Sequence, residues 1–155
     1  MRQDRLFAAL ALAACSVASP AAFAALGDPE SSVASDASAL HGEVREASRA
    51  LYNLHALTTD GGVQVNEYAS PGGAVFAITW QGPSQPDLRS LLGSYYARYQ
   101  SAAAAAVQAR RGAHREFSIR QSDLVLLSVA HQRSYRGVAY LPALMPAGLA
   151  AGELQ

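Results

Sequence analysis

Between Ala50 and Trp80 three runs of strand-forming residues, ALYNLHALT, VQVNEYA and AVFAITW, are separated by Asp60-Gly61-Gly62 and by Ser70-Pro71-Gly72-Gly73. Short β-prone runs joined by glycine-containing turns pair back on themselves, so this region predicts three consecutive antiparallel strands. In the third run Phe76, Ile78 and Trp80 alternate with Val75, Ala77 and Thr79, leaving neither face polar. Such a strand belongs inside the sheet, with a layer packed against it.

The next segment supplies that layer. After Gly82-Pro83 come Pro86 and Asp87, which suit a helix start, and then Leu88, Leu92, Tyr95, Tyr99, Ala102 and Ala106 fall on one stripe, with Gly112 as a stop. Arg115 to Arg120, Leu124 to His131 and Tyr135 to Leu141 read as two or three more strands, ended by Pro142 and Pro146. Upstream, Asp28 and Pro29 suggest a cap and a first helical residue, and Val33, Ala37, Leu40 and Val44 mark a thin apolar stripe weakened by Gly42. The expectation is an α+β domain over residues 25–155. It comprises an antiparallel sheet of five or six strands, a thin N-terminal helix, one long central helix packed on one face, and a loose tail after Pro146.

Residues 1–24, MRQDRLFAALALAACSVASPAAFA, have the layout of a cleaved export signal. Arg2 and Arg5 precede an apolar run from Leu6 to Val17, Pro20 breaks it, and Ala22-Phe23-Ala24 offers a small-x-small site with cleavage between Ala24 and Ala25. The run is too short for a membrane span. Leu12-Ala13-Ala14-Cys15 also has the form of a lipobox, in which Cys15 would carry lipid and anchor the protein to the envelope. The good downstream site favours the other form, a periplasmic or secreted protein that keeps no cysteine and hence no disulfide or thiol chemistry.

Composition narrows the chemistry further. All twelve basic residues are arginine, so a P-loop lysine, a Schiff-base lysine and a Ser-x-x-Lys nucleophile are excluded. His41, His55, His114 and His131 show no metal-ligand spacing, and neither a Gly-x-Ser-x-Gly elbow nor a calcium loop is present. No cofactor is implied. A carboxylate pair such as Glu67 with Asp87 near the Trp80 corner is the one arrangement that would serve a hydrolase. Trp80, Tyr95, Tyr96 and Tyr99 are read first as core aromatics where strand hands over to helix, and second as an aromatic binding rim.

Charge is segregated along the chain. From Ala25 to Asp87 there are eight carboxylates against two arginines, a net of minus six, and from Leu88 onward eight arginines against three carboxylates, a net of plus five. The halves can complement one another in the fold. Alternatively Arg110, Arg111, Arg115, Arg133 and Arg136 form a patch for an anionic partner. Export makes nucleic acid an unexpected one; another envelope or secreted protein comes first, then an anionic glycan or lipid head groups.

Glu67-Tyr68, Ser70-Pro71, Val75-Phe76-Ala77, Trp80, Gly82-Pro83, Pro86-Asp87-Leu88, Leu91-Leu92-Gly93 and Tyr95, with the late GVAYLP, resemble a family of exported proteobacterial proteins described as domain of unknown function 2844. The resemblance implies export and a shared fold over most of the mature chain, and transfers no reaction and no site residue. The expectation from all these readings is a small exported binding or interaction module of the envelope without catalysis. The alternatives are a lipoprotein with a structural or assembly role, and a carboxylate-dependent hydrolase.

Overall fold

A computed structural model describes residues 25–33, 43–108 and 116–154. Seven strands form one antiparallel sheet: β1 (Glu43–Ser48), β2 (Asn53–Thr58), β3 (Gln64–Ala69), β4 (Val75–Gly82), β5 (Glu116–Arg120), β6 (Val125–His131) and β7 (Ser134–Tyr140). Their order across the sheet is β1-β2-β3-β4-β7-β6-β5. Each half is a meander of adjacent hairpins, and the helical segment between β4 and β5 carries the chain to the far edge so that β7 returns beside β4. The strand count is therefore seven, against five or six expected.

The additional strand is β1. Val44, read as the last position of an N-terminal helical stripe, sits in β1 opposite Leu57. Of that expected helix the described residues show the start, a 3-10 turn Glu30–Ser32 leading into α-helical Val33, and Ala37 and Leu40 lie outside them. Pro29 is extended and bridges Ala74, while the amides of Gly27 and Glu30 donate to Val75 and Gly73. Residues 25–33 thus form a strap along the start of β4.

The central strand matches its reading: Val75 to Trp80 are all buried. Tyr68 pairs with Ala77 but Ala69 with Val75, so a bulge at Phe76 turns two consecutive side chains toward one face. On the first face Val65, Ile78, Trp80, Leu126, Ala139 and Ile119 pack beneath the helical segment. That segment is the expected long helical run, in which α1 (Leu88–Leu92) and α2 (Tyr96–Gln108) are continuous through the 3-10 turn Gly93–Tyr95. Gly93 has φ +48°, and a β-carbon there would stand 2.2 Å from that of Ala25. The strap presses on the helix at this point, and only glycine permits it. The expected stop, Gly112, is outside the described residues.

On the second face Tyr68, Phe76 and Ala77 pack with Leu54, Tyr140, Met145, Leu149 and Leu154. The chain after Pro146, expected to be loose, is held here by its leucines and by the Ala150 amide donating to Glu153. It covers only one end of this face.

Candidate functional site

Strand register sorts the polar residues by face. On the helix-bearing face, Glu46, His55 and Glu67 stand side by side on β1, β2 and β3. Glu30 reaches in from the strap, its Oε1 2.7 Å from His55 Nε2, and accepts from Asn53 Nδ2 at 3.0 Å. Glu46 Oε1 lies 3.6 Å from His55 Nδ1. This cluster ties strap to sheet beside an open hollow of about 520 Å³ lined by Pro29, Glu30, Ser31, Val33, Glu46, His55 and Gly73. Among the described residues no group of three or more His, Cys, Asp or Glu side chains is arranged to hold a metal ion.

The carboxylates suggested as a hydrolytic pair occupy unlike environments. Glu67 is inside the core at 1% exposure. Asp87 is exposed and caps α1, accepting from the Arg89 amide at 3.0 Å and from Ser90 Oγ at 2.6 Å. Both of its oxygens serve the start of the helix.

The aromatics lie on the helix-bearing side. Trp80 is 2% exposed, and Tyr95, Tyr96 and Tyr99 are half-buried against the core. The rings of Tyr96 and Tyr99 stack at 5.8 Å, and Tyr99 meets Phe117 edge-on at 5.5 Å. The guanidinium groups of Arg89 and Arg98 sit over Tyr96 and Tyr95. Trp80 lies in the core, and the three tyrosines pack the 3-10 turn and α2 against it while part of each stays exposed.

The opposite face is different in kind. Gln64 on β3 is opposite Gln81 on β4, and Asn66 is opposite Thr79, so four hydrogen-bonding side chains form a block at the centre of the sheet. Arg136 on β7 is the register partner of Gln81, and Arg45 on β1 that of Ala56, itself opposite Asn66. A groove of about 580 Å³ lies over this block, with Leu127, Val129, Val138 and Leu154 as its apolar side. A second hollow of about 380 Å³, lined by Arg45, Ala56, Thr58, Gln64 and Asn66, continues it toward β1. No carboxylate lines either part among the described residues. Nor do Arg45, Arg136, Gln64 and Gln81 have a side-chain partner among them, whereas Arg98 pairs with Asp123. That guanidinium hydrogen bond holds the Asp123 carboxyl below its ordinary value.

Of the arginines proposed as a patch, Arg110, Arg111 and Arg115 lie outside the described residues. Arg133 is at the tip of the β6–β7 hairpin and Arg136 is in the groove. Cys15 and Ala24 are likewise outside, while Ala25 is buried against Gly93. Gln64, Asn66, Thr79, Gln81 and Arg45 were not singled out from the sequence. Their signal was a polar residue at every second position of strands whose other positions are apolar, which marks a solvated face.

No curated protein and no solved structure matches this chain. A family model described as "Protein of unknown function (DUF2844)" matches residues 22–154. This span includes the strap, all seven strands and both faces of the sheet, and the chain belongs to the DUF2844 family.

Proposed function

We propose that this protein is an exported, non-catalytic binding module of the bacterial envelope, periplasmic or secreted, and that the helix-free face of its sheet is the binding surface. The observation that carries this reading is the open block of Gln64, Gln81, Arg45 and Arg136, side chains without partners among the described residues and backed by a rigid seven-stranded sheet. A buried or half-buried polar group has to be satisfied, and an exposed row of such groups on a preformed surface is ready to satisfy another molecule's. The leader supports export.

The test is a nitrogen-15 NMR titration of the mature protein with protein, carbohydrate and phospholipid fractions of the host envelope. The side-chain amide signals of Gln64 and Gln81 are expected to move with one fraction and not with the others. Shifts confined to the tyrosines of α2 or to the His55 hollow, with these amides still, would overturn the reading. The intact mass of the purified protein settles the anchor: a chain beginning at Ala25 is soluble, and one beginning at acylated Cys15 is membrane-tethered.

A further inference from the structure

We infer that the ligand of this face is an acidic polysaccharide chain lying across the strands, an inference that rests on the helix-free face being the binding surface. The groove is in the middle of a sheet, where the ladders of β3, β4 and β7 already use the backbone amides and carbonyls. A peptide that recognises a sheet commonly adds a strand at an edge, and the larger groove lies over interior strands, away from the β1 edge that bounds the smaller hollow. A ligand in this groove meets side chains alone.

Those side chains suit hydroxyl groups. The amides of Gln64 and Gln81 both donate and accept, as does the Thr79 hydroxyl on the groove floor, and a sugar hydroxyl also does both. Leu127, Val129 and Val138 offer a surface for the C–H faces of sugar rings. The two guanidinium groups belong to strands four spacings apart, β1 and β7, which at strand separations of 4.7–4.9 Å puts their backbones about 19 Å apart. That spacing suits a polymer that repeats its carboxylates along its length better than a single phosphate or one lipid head group; neither lining contains a carboxylate, and the nearest on the same face by register is Glu116, opposite Val129.

The experiment titrates the mature protein with a hexamer of galacturonic acid, with the neutral hexamer of galactose, with hexaglutamate and with a single-stranded DNA hexamer, at two salt concentrations. Affinity is read by calorimetry, and the site is read by the Gln64 and Gln81 amide signals. The galacturonate hexamer is expected to bind and to shift both signals. The galactose hexamer should bind at least about tenfold more weakly, hexaglutamate and DNA should not compete, and Arg136→Gln and Gln81→Ala should each cost about tenfold without altering thermal unfolding. If hexaglutamate or DNA binds as tightly and moves the same amides, the face recognises anions in general, so the glycan assignment is overturned while the binding face stands. If galacturonate binds unaffected by either substitution, it binds elsewhere and the inference fails. If no probe binds but the envelope protein fraction moves the same amides, the partner is a protein. If no fraction moves them, the binding face falls as well.

Discussion

Trp80 lies across the neighbouring strand because position 137 is glycine, its register partner: a β-carbon there would stand 2.1 Å from Trp80 Cζ2. The indole nitrogen is buried without a hydrogen-bond partner among the described residues, so the ring contributes by packing. Trp80→Ala should therefore cost about 3–5 kcal/mol and Trp80→Phe distinctly less, measured by urea unfolding followed by far-ultraviolet circular dichroism. Equal losses would show that the indole nitrogen matters. Gly137→Ala should cost about 1–3 kcal/mol, because the ring has to leave its place. At the hairpin tip the direction reverses. Arg133 pays for a left-handed backbone at φ +67°, and Arg133→Gly should stabilise the fold by about 1 kcal/mol in the same assay, with an unchanged or lowered value removing the argument for strain.

At the scale of elements, the two helices depend on what touches them. α2 has no buried residue and leaves Val107 exposed, and its hold on the sheet is through Tyr96, Tyr99 and Ala102 together with Arg98. Arg98 reaches Asp123 in the turn before β6 and lowers its carboxyl pKa, chiefly by the side-chain hydrogen bond. A lowered folded-state value contributes stability above the ordinary carboxylate range and loses it as pH falls through that value. The stability difference between the wild type and Asp123→Asn should therefore be largest near neutral pH and vanish in acid. Because the pair is exposed, the difference should also be small and shrink with added salt. A difference that grows in acid would contradict this. The strap is held by Glu30, which contacts both His55 and Asn53. Glu30→Ala should speed hydrogen exchange at the Gly27 and Glu30 amides while leaving the β4–β7 ladder protected. Uniform acceleration would mean that strap and sheet unfold as one unit.

For the whole molecule, charge that is divided along the chain is mixed on both sides of the sheet: Arg89 and Arg98 lie on the helix-bearing side with a group of glutamates, and Glu116 shares the other face with Arg136. Glu30, Glu46 and Glu67 gather around His55 on the helix-bearing side, and Arg45 and Arg136 face the other way. Burial of Ala25 and Leu26, with the Leu26 amide donating to Leu91, also bears on processing. If the proposed export signal is cut between Ala24 and Ala25, the peptidase needs extended chain on both sides of that bond, so cleavage should come first and folding second. Refolded precursor should resist signal peptidase that readily cuts the urea-unfolded form, and equal rates would refute the order. The sequence by itself determined the local content of this protein. Glycine-rich turns between β-prone runs, the two-sided apolarity of β4 and the stripe from Leu88 to Ala102 are properties of neighbouring residues, and each corresponds to an element of the fold. It did not determine β1, whose Val44 also fits a helical period and becomes a strand only because β2 offers an unpaired edge. Nor did it show the 3-10 turn at Gly93, which exists because a strap distant in sequence arrives there. The open face was legible only as alternation in Gln64, Asn66, Thr79 and Gln81. Which side of a sheet stays exposed is decided by where the helices and the C-terminal leucines come to rest, and those are contacts between segments far apart in the chain.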